Sequence, residues 1–466
     1  MSINASHRKR LLAVAIGCSL LVSSAASALT LEQAVSQTLV TEPEIQQAFQ
    51  RYKESEEQIN IAKSEYLPTI DLNGGYGREM TDSPSTRASN NNSSVSLNRR
   101  EMGLSLRQIL FNGFFTVNDV ERASRIAKSQ HWGLINIAED KALEVVGVYI
   151  QYLRTEQIHK LSRQNLSNHE RIFRQIKKKT NSGLASTSDL SQISGRLARA
   201  KANLVSATNN LQDAAVQFKR LINSRPDNLF MPKPDAQSIP GTLQNAINRS
   251  EENHPALKVA GEEIEAITAR RNQTQSSFYP NVSLELNGNW NNNLDGVEGD
   301  NNDLQAMVKV DYNLFSGGGD IAKYRQSSHQ VNQAKENRQQ VYREIVEGTS
   351  LSWNAHQNLQ EQTEFVRQHV VAAKASQQAF EKQFSIGRRS LMELLDSENE
   401  LFEARIDYIN AEFDTLNTSF RLLHATGQLL SSMNVALPST WNKAEGEFWE
   451  KFMDLGENAS VELFNQ

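Results

Sequence analysis

The chain has 466 residues, a formal net charge of −5, a mean hydropathy of −0.54 and a single Cys. A multi-span helical membrane protein needs runs of about 20 apolar residues, and a protein this polar does not fit that class. The acidic balance argues against nucleic acid as a partner, since nucleic-acid binders rely on basic surfaces. One thiol excludes a disulfide framework and a multi-thiolate metal site.

Residues 1–28 read as a secretory signal peptide. Three basic residues, Arg8-Lys9-Arg10, precede an apolar stretch from Leu11 to Val22, and Ala26-Ser27-Ala28 forms a small-residue cleavage site. A membrane anchor is the alternative, but this stretch is shorter than the about 20 residues needed to span a bilayer. Lipidation at Cys18 is a second alternative that its flanking residues fit poorly. We therefore expect an exported mature protein without thiols.

The chain contains the same pattern twice. TLEQAV at 30–35 matches TLQNAI at 242–247, and LFNG at 110–113 matches LFSG at 314–317. The offset falls from 212 to 204 along the chain, so the first copy carries extra residues between about 70 and 110. Such self-similarity decides architecture. The expected organisation is a first repeat at 29–225, a Pro-rich linker at 226–241, a second repeat at 242–430 and a C-terminal equatorial segment or tail at 431–466.

Each repeat contains one β-hairpin, expected at about 68–112 and 280–316. Apolar and polar residues alternate after Pro68 and again after Pro280, which is typical of strands with one apolar face. Return strands are expected at about 99–111 and 304–315, after polar loops.

Long helical stretches without proline follow the hairpins, at about 116–181 and 319–385. At 1.5 Å per residue, each would span roughly 100 Å. Returning helices are expected at about 188–223 and 391–428. Their apolar residues follow three-four spacing, as in coiled coils. The stripes comprise Leu190, Ile193, Leu197, Ala200, Leu204, Ala207, Leu211, Ala214, Phe218 and Leu221, and Phe402, Ile406, Ile409, Phe413, Leu416, Phe420 and Leu423.

Four strands of about ten residues have the length of membrane-barrel strands, but the smallest membrane barrels need eight. An open edge in lipid would leave backbone groups unpaired, so copies of the chain must close one barrel together. Two copies would give a filled eight-stranded barrel and three would give a wider twelve-stranded duct, which favours three. The alternative is a soluble coiled coil with peripheral hairpins.

The duplicated order of helices and hairpin, with LFNG and LFSG after the hairpins, resembles the TolC family of outer-membrane channels. FSIGRRSLMELLDSENELFEAR, beginning at 384, and TNSGLASTSDLSQ, beginning at 180, are similar to the family's two tip motifs. The resemblance implies an α+β membrane protein, whose long coiled-coil helices form a periplasmic tunnel. Each chain of a homotrimer would give four β-strands to a shared 12-stranded outer-membrane β-barrel. It also implies that the closed periplasmic end opens when an inner-membrane pump and a membrane-fusion adaptor dock.

The same resemblance implies roles for residues near the two tip turns. Glu393 and Asp396 match the acidic ring of the closed aperture, where crowding of carboxylates would raise some pKa values. Arg389 matches a gate residue that pairs with the neighbouring first-repeat turn, where Ser188 and Asp189 match its partners. Phe384 stands where well-known members carry Tyr, and it has no hydroxyl to donate a gate hydrogen bond. The alternative for all of these residues is a solvated helix-turn surface.

Gly183 and Gly387 lie where each long helix must end, and glycine supplies the left-handed conformation of a helix C-terminus.

No arrangement of catalytic or cofactor-binding residues is evident. The nine His are scattered without ligand spacing, and Gly317-Gly318-Gly319 is followed by Asp320 rather than by a phosphate-loop Lys. The acidic loop at 295–303 is expected to be a solvated surface, with weak Ca²⁺ binding as the alternative. We therefore expect no enzyme, no cofactor and no metal, with transport energy coming from a partner pump.

The expected function is the exit duct of a tripartite export system in the outer membrane. Type I secretion of a protein cargo, including large adhesins, with an ABC transporter and an adaptor is the leading hypothesis. One alternative is a duct for small-molecule cargo, drugs or metals, served by a proton-driven pump. The other is a non-transport coiled-coil envelope protein.

Overall fold

The computed structural model describes residues 29–442. The predicted signal peptide and most of the predicted C-terminal segment lie outside this range. Within it, no helix combines the length and apolarity that crossing a membrane requires. The helices are α1 Leu31–Thr41, α2 Pro43–Ser64, α3 Pro84–Ser89, α4 Phe115–Asn181, α5 Thr187–Ile222, α6 Leu243–Asn253, α7 Pro255–Thr274, α8 Gly319–Ser385, α9 Leu391–Ala425 and α10 Leu429–Ser432, with 3₁₀ turns at Gln275–Phe278 and Ser439–Asn442. The strands are β1 Thr69–Thr81, β2 Val95–Asn112, β3 Asn281–Asn292 and β4 Asp300–Asp311.

The chain divides into two compact units, and each contains segments of both sequence repeats. The first unit holds residues 29–43, Ala138–Asn248 and Gly348–Pro438. The second holds Glu44–Ile137, Arg249–Glu347 and Ser439–Asn442. The tip turns therefore belong to the first unit, and all four strands belong to the second.

The second unit contains one antiparallel sheet with strand order β1-β2-β3-β4. The two predicted hairpins join through pairing of β2 with β3, where a bulge at Ile109/Phe111 shifts the register. Direct partners such as Leu72↔Leu104 and Leu286↔Ala306 lie on one face because side chains alternate along a strand. That face is apolar, and the opposite face carries Asp71, Asn73, Arg99, Glu101, Asn287, Asn289 and Lys309.

The strands differ from the expected bounds at their polar ends. β2 begins at Val95, earlier than expected, because residues 95–98 pair through their backbones with residues 78–81 of β1. β4 begins early, at Asp300, because its Asn- and Asp-rich start pairs with the end of β3. The expected end of the second hairpin is wrong, since β4 stops at Asp311 instead of continuing to 315. Asp311 pairs with Asn281, the first residue of β3. Pro280 precedes it and has no N–H to continue the ladder.

The first unit is built from long helices whose buried stripes match the coiled-coil spacing. The a and d positions of α5 that are fully buried include Ile193, Ala200 and Phe218. Helix α9 ends at Ala425 rather than at 428, because Gly427 takes φ +66° and the N–H of Gln428 bonds the carbonyl of Leu423 at 2.9 Å. The expected α+β class, with long coiled-coil helices and four strands per chain, is confirmed.

Candidate functional site: the tip of the helical hairpins

The tip consists of the two turns that join α4 to α5 and α8 to α9. Gly183 and Gly387 have φ of +72° and +74°. The N–H of Leu184 bonds the carbonyl of Lys179 at 2.8 Å, and the N–H of Arg388 bonds that of Gln383 at 2.9 Å. These are the closing bonds of Schellman motifs, in which a left-handed residue satisfies the last helical carbonyls. Both long helices thus end in the same way.

The returning helices begin with capping boxes, and two of the candidate site residues belong to them. Asp189 accepts a hydrogen bond from the N–H of Ser186 at 3.2 Å, and Glu393 accepts one from the N–H of Ser390 at 2.9 Å. Each serine hydroxyl in turn accepts from the acidic residue's own N–H. Asp189 and Glu393 therefore hold equivalent positions in the two repeats, and each caps the start of its returning helix. The Ser-x-x-acid spacing in the sequence is the signal that predicts this capping role.

Arg389 lies within the second-repeat turn. Its Nε donates to Oε1 of Gln383 at 2.9 Å, its Nη1 donates to Glu393, and its guanidinium lies 4.5 Å from the centre of the Phe380 ring. Hydrogen bonds from Ser390 and from Arg389 lower the pKa of the Glu393 carboxyl to about 2. This lowering of the Glu393 pKa, seen within the single chain, is opposite to the rise that crowding of carboxylates in the acidic ring was expected to cause.

The structure brings only part of the expected gate network together. Arg389 and Glu393 are in contact, whereas none of the hydrogen bonds or ion pairs among residues 29–442 joins Arg389 to Ser188 or Asp189. Ser188 is exposed. The predicted pairing of Arg389 with the neighbouring first-repeat turn stays a prediction.

Asp396 contacts an arginine that sequence reasoning missed. Its Oδ1 accepts from Nη2 of Arg196, on α5, at 2.8 Å. Arg171 of α4 and Glu381 of α8 form another ion pair between the repeats, at 2.9 Å. Residues this far apart in sequence carry no local spacing signal, so the pairing could be found only in the folded chain.

A cluster of apolar residues beneath the two turns packs α4 and α5 of the first repeat against α9 of the second. Phe384 packs against this cluster, and the Lys179 ammonium lies 5.0 Å from the centre of its ring. A cleft of 430 Å³ beside Phe384 is bordered by charged residues that include Arg171, Lys178 and Glu381. The buried members of the cluster are Ile172, Ile176, Ile193, Leu391, Leu394 and Leu395.

Potential metal ligands do not cluster. In the part of the chain that the structure describes, no group of three or more His, Cys, Asp or Glu side chains is arranged to hold a metal ion. The acidic loop at 295–303 falls within this part, and its Asp295 instead contacts Arg99 at 3.4 Å.

Comparison with known protein families identifies the family to which a chain with this tip and this sheet belongs. The family model described as outer membrane efflux protein matches residues 34–224 and 246–428. The chain belongs to this family. Its members are outer-membrane channels and not enzymes, so the expected outer-membrane location, with a tunnel into the periplasm, is confirmed. The match also falls in two segments, as the internal duplication does.

Three relatives show how far the similarity extends. The outer membrane efflux protein BepC of Brucella suis is 24% identical over 352 residues, covering 75% of each chain. The outer membrane protein TolC of Escherichia coli is 23% identical over 422 residues, covering 85% of this chain and 82% of TolC. The cation efflux system protein CusC of Escherichia coli is 20% identical over 80% of each chain. A crystal structure of CusC superposes with a TM-score of 0.72, covering 85% of this chain and 92% of that one.

Proposed function

We propose that three copies of this chain form the exit duct of a tripartite export system. The observation that carries the proposal is the sheet, which has one apolar face and two long uncovered edges. The edge strands β1 and β4 have 13 and 12 residues. Long open edges promote pairing with another chain. Pairing β4 of one copy with β1 of the next would leave no edge, and three copies would give the twelve strands of an open barrel.

The apolar face supplies the lipid-facing surface of that barrel. Its side chains are far more exposed than apolar groups of a water-soluble protein normally are in one contiguous patch. Leu304 is 85% exposed and Tyr76 75% exposed. The exposed members of this face include Ile70, Leu72, Tyr76, Met102, Leu104, Leu286, Trp290, Leu304, Val308 and Val310.

An Arg placed on one or the other face of β4 tests which face of the sheet contacts lipid. Val308 lies on the apolar face opposite Leu284, and Gln305 lies on the polar face opposite Asn287. Val308→Arg is expected to reduce insertion, since Arg at the membrane midplane costs about 2–4 kcal/mol. Gln305→Arg should insert normally. Membrane fractionation and heat-labile trimers on gels give the readout. Equal insertion of both variants, or a wild type without trimers, would contradict the proposed barrel.

We also propose that the tip is the closed periplasmic aperture, with Glu393 and Asp396 as its acidic ring. Arg389, Ser188, Asp189 and Phe384 would form the gate network, and Gly183 and Gly387 would shape the adaptor-facing turns. Arg389→Ala should raise the basal conductance of the purified protein in a planar bilayer, because it removes the contacts of Arg389 with Gln383 and Glu393. Arg388→Ala, in the neighbouring position, is the control. Unchanged conductance in Arg389→Ala would remove Arg389 from the gate.

For the cargo, we propose type I protein secretion with an inner-membrane ABC transporter and a membrane-fusion adaptor. The resemblance of the whole sequence to type I secretion members, including those that export large adhesins, supports this assignment. The test compares the secreted and surface proteomes of a deletion strain with those of the wild type at matched growth. Loss of one large protein from both fractions, restored by complementation, is the expected result. An unchanged proteome would contradict it.

Small-molecule efflux through a proton-driven pump is the second candidate. The names of two relatives favour it, since BepC is an outer membrane efflux protein and CusC belongs to a cation efflux system. Under this alternative, the deletion strain would keep its secreted proteins but become sensitive to drugs or metal ions. Toxicant sensitivity of the same strain therefore separates the two candidates.

A further inference from the structure

The contact between Arg196 and Asp396 joins the two repeats at the tip. The guanidinium lies 2.8 Å from the carboxylate, and the two residues are 200 positions apart. Arg196 is on α5 and Asp396 is on α9. The two side chains are 33% and 54% exposed, so the pair faces solvent and is not part of the buried core.

The two candidate ring acids are neutralised in different ways. Glu393 is paired with Arg389, four residues earlier in the same turn, and it also caps its own helix. Asp396 depends on an arginine from the other repeat. A change in the arrangement of α5 and α9 would therefore separate Asp396 from its countercharge, while Glu393 would keep its local partner.

The counterion changes how a ring carboxylate acts on ions at a distance. An isolated carboxylate is a net charge, and its interaction with an ion falls slowly with distance. A carboxylate with a guanidinium at hydrogen-bond distance is a dipole, whose field falls more steeply. A ring of such pairs attracts cations less than a ring of bare carboxylates does. Rings of charged side chains are a common basis of ion selectivity in channels.

We propose that Arg196 is a selectivity-determining residue: it supplies the countercharge of Asp396 and thereby sets the ion selectivity of the periplasmic aperture. This inference rests on the proposed function, because it requires that three copies place Asp396 around one conducting axis. Exposed ion pairs contribute little to stability. Variants at Arg196 should therefore still fold and assemble, and their conduction can be compared directly with that of the wild type.

The test measures the reversal potential of single channels across a KCl gradient in a planar bilayer. Arg196→Gln should move it toward the K⁺ equilibrium potential, since three carboxylates lose their countercharges. Asp396→Asn should move it the opposite way, and the double variant should return close to the wild type. Arg196→Lys keeps the positive charge and should resemble the wild type. Arg174→Gln removes the same charge from α4, where Arg174 contacts Glu170 at 3.9 Å, and should have little effect.

The outcomes separate this inference from the function on which it rests. Wild-type channels with an unchanged reversal potential in Arg196→Gln would overturn the role of Arg196 and leave the proposed channel intact. Shifts of Arg196→Gln and Asp396→Asn in the same direction would also overturn it, since they would show that the contact acts through the shape of the tip. A wild-type protein that forms no channels would overturn the proposed function, and the inference with it.

Discussion

The hydroxyl of Tyr149 lies 2.9 Å from the carbonyl oxygen of Phe230, and the N–H of Phe230 donates back to it at 3.1 Å. The same hydroxyl lies 2.9 Å from the carbonyl oxygen of Leu29. Tyr149 is completely buried, and its ring packs against Phe218. Burial raises the pKa of Tyr149 to about 12, so the hydroxyl keeps its proton at physiological pH. The Tyr149 side chain therefore contacts both Phe230 of the linker and Leu29, which precedes α1.

Tyr149→Phe should lower the free energy of unfolding by about 0.5–1.5 kcal/mol, because it removes the hydrogen bonds that the buried hydroxyl makes with the backbone of Phe230. Urea denaturation of the detergent-purified protein measures the change. Tyr66→Phe is the matched control, since Tyr66 lies outside the strands and is 49% exposed, so its hydroxyl can bond water. If the two variants were equally stable, the hydroxyl of Tyr149 would not be holding the linker.

Gly113 and Gly317 occupy equivalent positions in the repeats and have nearly the same backbone conformation, with φ of +64° and +67°. Their surroundings differ. A Cβ at Gly113 would lie 2.7 Å from the carbonyl oxygen of Ser276 and 2.8 Å from Cβ of Tyr279, whereas one at Gly317 would meet nothing within 4 Å. Alanine at either position carries the left-handed penalty of about 1–2 kcal/mol.

Gly113→Ala should therefore be more damaging than Gly317→Ala, by the additional about 1–3 kcal/mol typical of overpacking. The yield of folded protein in the outer membrane and its resistance to heat provide the comparison. Equal yields would mean that the segment around Ser276 moves aside without loss.

Glu139 is a buried carboxyl of α4 that contacts the segment after α9. It is 5% exposed and accepts from the N–H of Leu430 at 3.3 Å. Burial raises its pKa from 4.5 to about 7, although nearby His424 acts in the opposite direction. Between these two values the folded chain binds more protons at this site than the unfolded chain does. Its contribution to stability is therefore fully present below pH 4.5 and is lost as the pH rises to about 7.

Glu139→Gln should remove this dependence while keeping an oxygen that can accept from Leu430. Relative to the variant, the wild type should lose about 3 kcal/mol of unfolding free energy between pH 4.5 and 7. Urea denaturation of both proteins at several pH values provides the measurement. Parallel pH profiles would show that Glu139 titrates normally in the folded chain.

The long helices α4 and α8 were predictable because the signals that specify them lie within their own segments. The long helices were expected to run from 116 to 181 and from 319 to 385, and they are Phe115–Asn181 and Gly319–Ser385. Absence of proline over about 65 residues and a glycine where each helix ends are the local signals that predicted these helices. The ends of the strands were less predictable, because β3 continues through Asn291 and Asn292 by backbone pairing with β4. Side-chain alternation carries no information about such a ladder.

The sequence by itself determined the duplicated order of elements, the two β-hairpins, the long helices with their apolar stripes and the glycines at the tip. Each of these follows from the spacing of residues that are close in the chain or from the repetition of one pattern. Only the tertiary structure decided that Asp396 is paired with Arg196, that Arg389 bonds its own turn and that Tyr149 holds Phe230. Those contacts depend on which surfaces of distant helices meet, and packing of the whole chain selects them.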